Sequence, residues 1–282
     1  MDSALIDLHV HTKASDGTMT PAQVVAHAME KGLRALAITD HDTVDGVGEA
    51  TLAGQELGLE VVPGVEVSVD YHNGEMHILG YYLDVHNPGL QKNLGLLLQY
   101  RDERNPRMIE KLRSLGFDIT LDEVVEAAAG GVVGRPHFAA VMRKKGYVNS
   151  FDQAFDWYLG AGKAAYVKKE RLTPREGIEL IKAAGGIPVL AHPKYLKVDN
   201  NRLYSLVTEL KGYGLQGIEA FYTTHTPAET QLFLKVAGAN SLLVTGGSDF
   251  HGKNKPDIEI GTGEGQLAVP YSVLEQLKAR VL

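Results

Sequence analysis

Short apolar segments that run into histidine or acidic residues and then into a helical pattern recur along this chain, and nothing else constrains its fold as strongly. LIDLHV is followed by HTKASDG and then TPAQVVAHAMEKG, and LRALAI is followed by TDHD and then VGEATLAGQELG. LEVV, VEVSV, EMHILGYYL, GIPVLAHP, LQGIEAF and SLLVTGGSD extend the series. Helix starts are legible in places: Thr20 is placed to cap a helix, with Gln23 three residues on, Pro21 in the first turn and Gly32 after the end. Strand, loop and helix in alternation predict parallel strands covered by helices, as a barrel or as an open doubly wound sheet.

The first segment also carries a chemical signal. Side chains alternate along a strand, so Asp7, His9 and His11 are expected on one face, with Leu8 and Val10 on the other. Unpartnered imidazoles in a buried position cost several kcal/mol, on the order given for unpaired polar groups. Neutral imidazoles side by side are a common arrangement of metal ligands. The chain has no Cys, so any metal must be held by nitrogen and oxygen, and a covalent thiolate route is excluded.

Between about Asn87 and Lys169 the alternation gives way to helical stretches joined by Gly-marked turns. The expected organisation is a barrel formed by residues 1–86 and 170–282, with 87–169 as a helical insertion that covers the active site. Trp157, the single tryptophan, is expected to form the insertion's small core with Phe155 and Tyr158. No apolar run approaches the length of a membrane span, which leads to the expectation of a cytoplasmic protein with no obligate protein partner. A formal charge of −7 argues against broad contact with duplex nucleic acid, although Arg143, Lys144 and Lys145, and Lys163, Lys168, Lys169 and Arg171, form local basic clusters.

Nine residues resist a core explanation because they sit in or near the ends of the expected strands: His9, His11, Asp16, His41, Glu66, His77, His192, Asp249 and His251. That is where barrels keep their chemistry. The mixture of imidazole and carboxylate suits Mn²⁺, Zn²⁺ or Fe²⁺ better than Mg²⁺ alone. In the order DLHVHTKASDG, TDHDT, PGVEVS, MHILGY, LAHP and GSDFHG, the chain closely resembles the PHP (polymerase and histidinol phosphatase) family. GRPHFA, AYV and AGGIPVLAHP are similar to its nucleotide phosphoesterase members.

The resemblance implies an α/β fold, a distorted seven-stranded (β/α) barrel related to the amidohydrolases, with two or three divalent ions, Mn²⁺ first. It implies a first ion on His9, His11, Glu66 and Asp249, a second on Glu66, His77 and His192, and a third on Asp16, His41 and His251. Asp7 and Asp40 are expected to fix imidazole tautomers. The implied reaction is hydrolysis of a small nucleotide phosphomonoester by a metal-bridging hydroxide. The 3′-phosphate of a nucleoside 3′,5′-bisphosphate is the first candidate. Alternatives are 5′-to-3′ exonuclease action on short RNA and histidinol phosphate hydrolysis. A non-enzymatic, metal-stabilised module is disfavoured because structural metal sites are closed and need fewer ligands.

His9, His11, Glu66, His192 and Asp249 are thus the expected catalytic set. Arg135, where a Gly-rich loop opens a helix with free amides, is the expected receptor of a substrate phosphate. His137, His225 and Lys168 are further candidate substrate contacts. His27, His72 and His86 carry no functional expectation, and GTGEGQL lacks the setting of a dinucleotide site.

Overall fold

The computed structural model describes residues 5–128, 133–167 and 171–281. Eight strands form one sheet: β1 (Leu5–Val10), β2 (Ala35–Ile38), β3 (Glu60–Val69), β4 (Met76–Tyr81), β5 (Ile187–Leu190), β6 (Gly217–Tyr222), β7 (Leu243–Gly247) and the two-residue β8 (Val269–Pro270). Their order is β7-β6-β5-β4-β3-β2-β1-β8. β1 and β7 close the barrel at its carboxyl end, where the amide of His11 donates to the Phe250 carbonyl (3.0 Å) and that of Asp249 to the His9 carbonyl (2.8 Å). The expected barrel is therefore observed, its seven longer strands supplemented by the short β8.

Helices α1 (Pro21–Glu30), α2 (Asp45–Leu57), α7 (Pro174–Ala183), α8 (Asn200–Tyr213) and α9 (Pro227–Asn240) cover the outside. Three of them begin alike. Thr20, Thr173 and Thr226 each cap the helix that follows, with Pro next and a Gln or Glu at the third helical position that returns a hydrogen bond. Each such cap contributes about 1 kcal/mol. Outward strand residues such as Leu36, Ile38, Val65, Val67 and Ile78 pack with Val24, Val25, Ile178 and Val207 of these helices. Inward residues Ala35, Val62, Leu79, Tyr81 and Val189 form a second cluster, closed by Val273, Leu274 and Leu277 of α10 (Tyr271–Val281).

Two features depart from the simple pattern. β4 runs antiparallel to both β3 and β5, because six residues after β3 allow a hairpin but not a crossover. Its start, not its end, therefore lies at the carboxyl end of the barrel, and His77 pairs with Ser68 there. In β1 the register shifts between Asp7 and Val10, so Leu8 joins the inner cluster and Val10 the outer one. Strict alternation would have put Leu8 and Val10 on one face. LEVV and VEVSV, separate by eye, form the single ten-residue β3 through Pro63 and Gly64.

The insertion consists of α3 (Pro88–Ser114), α4 (Leu121–Ala127), α5 (Arg135–Lys144) and α6 (Phe151–Ala154), the last continuing into a π-helical turn at Phe155–Leu159. α3 serves two cores. Leu90, Leu94 and Leu97 pack on the barrel, whereas Met108, Ile109 and Leu112 pack with Phe138, Met142 and Leu159. Trp157 is not in that second core as expected but is 57% exposed, and Tyr158 packs edge-on against Phe117 at 4.8 Å. Its place on the outward side of the π turn is the reason, since Leu159 already fills the inner position. Among the described residues no helix is long and apolar enough to cross a membrane.

Barrel closure makes one residue critical. A Cβ on Gly247 would lie 2.4 Å from both the amide nitrogen and the Cβ of His9, so β7 and β1 meet only because Gly247 has no side chain. Gly247→Ala is expected to destabilise the protein by about 1–3 kcal/mol, as overpacking of a rigid contact does. A calorimetric melt checks this, and an unchanged midpoint would mean the strands can part at no cost.

Candidate active site

The inner ends of β1 to β7 bring six imidazoles and three carboxylates together. Glu66, in mid β3, is their centre: its Oε1 lies 2.9 Å from His77 Nδ1 and 2.9 Å from His192 Nε2. Its Oε2 lies 3.0 Å from His41 Nδ1 and 3.3 Å from both His9 Nε2 and His11 Nε2. Asp249, just past β7, is 3.2 Å from His11 and 3.3 Å from His251, and Asp16, in the loop after β1, is 3.1 Å from His251. His9, His11, Glu66, His192, Asp249 and His251 are all buried.

All nine sequence-predicted ligands therefore meet in one place. Donor atoms fall within 4.8 Å of one another in four overlapping groups: His11, Asp16, His41 and His251; His9, Glu66 and His192; His9, His11 and Asp249; and His41, Glu66 and His77. His9, His11 and His41 each belong to two groups, a sharing that the expected division into three sets does not contain.

The donors fit divalent cations better than they fit one another. His9 Nε2, both nitrogens of His11, His41 Nδ1 and Glu66 Oε2 are buried and lack a hydrogen-bond partner of good geometry among the described residues. Such groups are costly unless something binds them. Two of the candidate ligands are also held in backbone conformations that non-glycine residues seldom adopt: His192 at φ 24° and Asp249 at φ 58°. That strain, about 1–3 kcal/mol each, aims both side chains inward.

Charge is distributed accordingly. Burial pushes the Glu66 carboxyl up, but the imidazoles of His41, His77 and His9 outweigh it and hold the group well below the usual range. Asp249 is treated likewise by Lys255, His251 and His9, and Asp16 by His251 and His41. Burial opposes the protonation of His11, yet the neighbouring carboxylates of Asp249 and Glu66 raise it to about 9. His9 is raised well above its ordinary value, against burial, by Glu219, Glu66 and Asp249. Burial, with the nearby charges of Lys255 and His11, lowers His251 to about 4.

Several functional neighbours are not singled out by the sequence. Glu219, fully buried in β6, takes a hydrogen bond from His9 Nδ1 (3.0 Å) and one from the His192 amide (2.7 Å), orienting two ligands at once. A lone carboxylate in GIEAFY is the one signal the chain offers for it. Lys255 Nζ (2.6 Å) and the Tyr222 hydroxyl (2.7 Å) both donate to Asp249 Oδ2, which leaves Oδ1 facing the histidines. The tautomer role expected of Asp7 and Asp40 falls to Glu219. Asp7 instead accepts from Ser248 and the Gly261 amide, and Asp40 from Thr12 and Ser15, so these two carboxylates pin loops.

Above the cluster opens a cavity of about 390 Å³, walled by Asp16, His41, His77 and His251 on the barrel side and by Arg104, Arg135, Phe151 and Phe155 of the insertion. Arg171 and Lys255 also line it. The Arg135 guanidinium bonds Glu75 Oε1 (3.2 Å) and the Leu159 carbonyl (3.3 Å). Of the amides expected to be free at the start of α5, Pro136 has none, and those of Gly134 and His137 donate to His137 Nδ1 and the Gly134 carbonyl. His137 is thus a buried capping residue. His225 sits behind Tyr222, its Nδ1 donating to the Ala220 carbonyl (3.0 Å) and its ring on Phe233 (4.7 Å), away from the cavity walls. Lys168 lies outside the described residues.

Because the carboxylates around them raise His11 to about 9 and His9 well above its ordinary value, ligation must displace protons. Metal uptake at pH 7.5 should therefore release protons and weaken as pH falls, which calorimetry in buffers of different ionisation heat will read. Heat independent of the buffer would contradict this. Glu219→Gln should lower metal affinity about 10–100-fold while leaving the fold intact, the usual cost of losing a ligand's own acceptor.

The PHP domain profile matches residues 7–168. The chain is 36% identical to a 5′-3′ exoribonuclease of Haemophilus influenzae over 87% of its own length and 89% of that protein's. It is 31% identical to a 3′,5′-nucleoside bisphosphate phosphatase of Chromobacterium violaceum over 99% of its length and 98% of the relative's. The crystal structure of an inferred metal-dependent phosphoesterase from Bifidobacterium adolescentis superposes with a TM-score of 0.86 at 32% identity, covering 98% of this chain and 96% of the other. Barrel, ligand cluster and these likenesses agree, and the chain belongs to the PHP domain family.

Proposed function

We propose that this protein removes the 3′-phosphate of nucleoside 3′,5′-bisphosphates, leaving a 5′-mononucleotide. The chain is a metal-dependent hydrolase of phosphoric esters, and the finer reading is supported by one observation above all: a single cavity has two anion receptors. One is the imidazole–carboxylate cluster, which would receive an anion through the divalent cations it holds, and the other is the cationic wall of Arg104, Arg135 and Arg171. A substrate with two phosphates on one sugar satisfies both.

Glu66 is suited to serve two ions, since Oε1 faces His77 and His192 while Oε2 faces His9, His11 and His41. His9, His11 and Asp249 would complete the first set, His77 and His192 the second, and Asp16, His41 and His251 a third, with Mn²⁺ the first candidate and Zn²⁺, Fe²⁺ or Mg²⁺ the others. Bound there, divalent ions neutralise phosphoryl oxygens and bring the pKa of water toward neutrality. The protein's own part is to hold and orient. Glu219 fixes the His9 ring, Lys255 and Tyr222 fix Asp249, and Arg135 exchanges Glu75 for the substrate's second phosphate.

A second reading, 5′-to-3′ exonuclease action on short RNA, is favoured by the likeness to the Haemophilus exoribonuclease. The bond broken is the same P–O3′ bond in either substrate. What differs is whether the phosphoryl group carries a further nucleotide. Turnover of the Mn²⁺-loaded protein on adenosine 3′,5′-bisphosphate and on a 5′-phosphorylated RNA trinucleotide, with phosphate and mononucleotide followed separately, decides between them. Rapid phosphate release from the bisphosphate alone supports the phosphatase, and efficient mononucleotide release from the trimer makes the exonuclease primary.

His9→Ala and Asp249→Ala should each reduce turnover at least about 1,000-fold with the fold retained, because each takes a ligand from the cluster. Arg135→Ala should raise KM by about 10–100-fold, the worth of a charge-assisted hydrogen bond, and change kcat little. Unaltered steady-state kinetics in any of these variants would remove that residue from its assigned role.

A further inference from the structure

Phe151 and Phe155 stand four residues apart, on α6 and on the first residue of the π-helical turn, and both open onto the cavity that Asp16, His41, His77 and His251 share. The insertion has a dry core of its own, in which Phe138, Met108 and Leu112 are fully buried. Phe151 and Phe155 only border that core and remain half-buried. Each has a guanidinium over its ring, Arg143 at 5.0 Å from the Phe151 centroid and Arg135 at 5.4 Å from that of Phe155. A cation so placed holds the ring's plane.

We infer that Phe155, flanked by Phe151, is the surface on which the substrate's nucleobase stacks, and that it makes the site selective for nucleotides over other phosphate esters. The inference rests on the nucleotide reading of the cavity and adds its recognition element. Arg135 supplies the reason to place the base here. The same guanidinium that reaches into the cavity as a phosphate receptor lies 5.4 Å from the Phe155 centroid, so a cation for a phosphate and a ring for a base are neighbours in one cavity. The π-helical turn, closed by the Gly160 amide on the Phe155 carbonyl at 2.8 Å, directs Phe155 to the cavity while Leu159 stays in the core. Such turns recur at functional sites. Stacking accepts any base, because every base has a π-face, with purines preferred for their larger area.

The test is calorimetric binding of adenosine 5′-monophosphate and of ribose 5-phosphate to the Mn²⁺-loaded protein. The wild type should bind the nucleotide at least about tenfold more tightly than the sugar phosphate, the effect of one stacked base. Phe155→Leu, which keeps an apolar side chain without a π-face, should remove most of that ratio, and Phe155→Trp should preserve it. Equal affinity of the wild type for the two compounds overturns the inference, as does a full ratio in Phe155→Leu. The wild-type comparison stands even if a variant fails to fold. Neither compound carries a 3′-phosphate, so binding is read apart from turnover. A protein that prefers the nucleotide yet leaves the bisphosphate intact would refute the phosphatase reading and uphold this one.

Discussion

The convergence of five imidazoles on one buried carboxylate organises the functional end of this molecule. Glu66 is 1% exposed, yet His9, His11, His41, His77 and His192 all reach it from other loops and strands. A lone carboxylate in such a place would be neutralised by burial. Here the surrounding imidazoles keep it ionised, and the cluster is left with more donor atoms than internal partners. Positive charge from outside the chain is what such a constellation is built to accept.

Everything that holds those imidazoles in place is a property of the barrel. Closure of β1 on β7 depends on Gly247, whose missing side chain lets His9 approach, and on the two backbone hydrogen bonds that link His9 and His11 to Asp249 and Phe250. His192 and Asp249 hold left-handed backbone just past β5 and β7, where their amides are tied to the Glu219 carboxylate and the His9 carbonyl. Asp7 and Asp40 knit the loops around Ser248 and Thr12, and Glu219 sets the His9 ring. The insertion then lines the space above the cluster with arginines and half-buried aromatic rings, which turns that end of the barrel into a cavity of about 390 Å³.

Much of this is legible in the amino-acid sequence. The helix caps at Thr20, the strand LIDLHV and the acidic and histidine residues after each strand follow from local rules, and all nine candidate ligands come together in space. Other features are not legible there, for a common reason. The reversal of β4 hangs on the length of one hairpin, and the register shift in β1 breaks the alternation that assigns Leu8 and Val10 to one face. Trp157 looks like core by composition but lies on the outside of a π turn. Glu219, Tyr222 and Lys255 resemble ordinary strand or loop residues until their distant partners His9 and Asp249 are beside them.

The amino-acid sequence by itself determined which atoms are available, since without Cys the donors are imidazole and carboxylate, and it determined the rhythm of strand and helix, because both are written in local periodicity and capping. Only the tertiary structure decided which donors share a carboxylate oxygen, that Glu219 orients the His9 ring, and that Arg135 and Phe155 face the cluster across one cavity. Those contacts join residues such as Glu66 and His192 that are 126 positions apart. Distance along the chain carries no energy, whereas distance in space carries all of it.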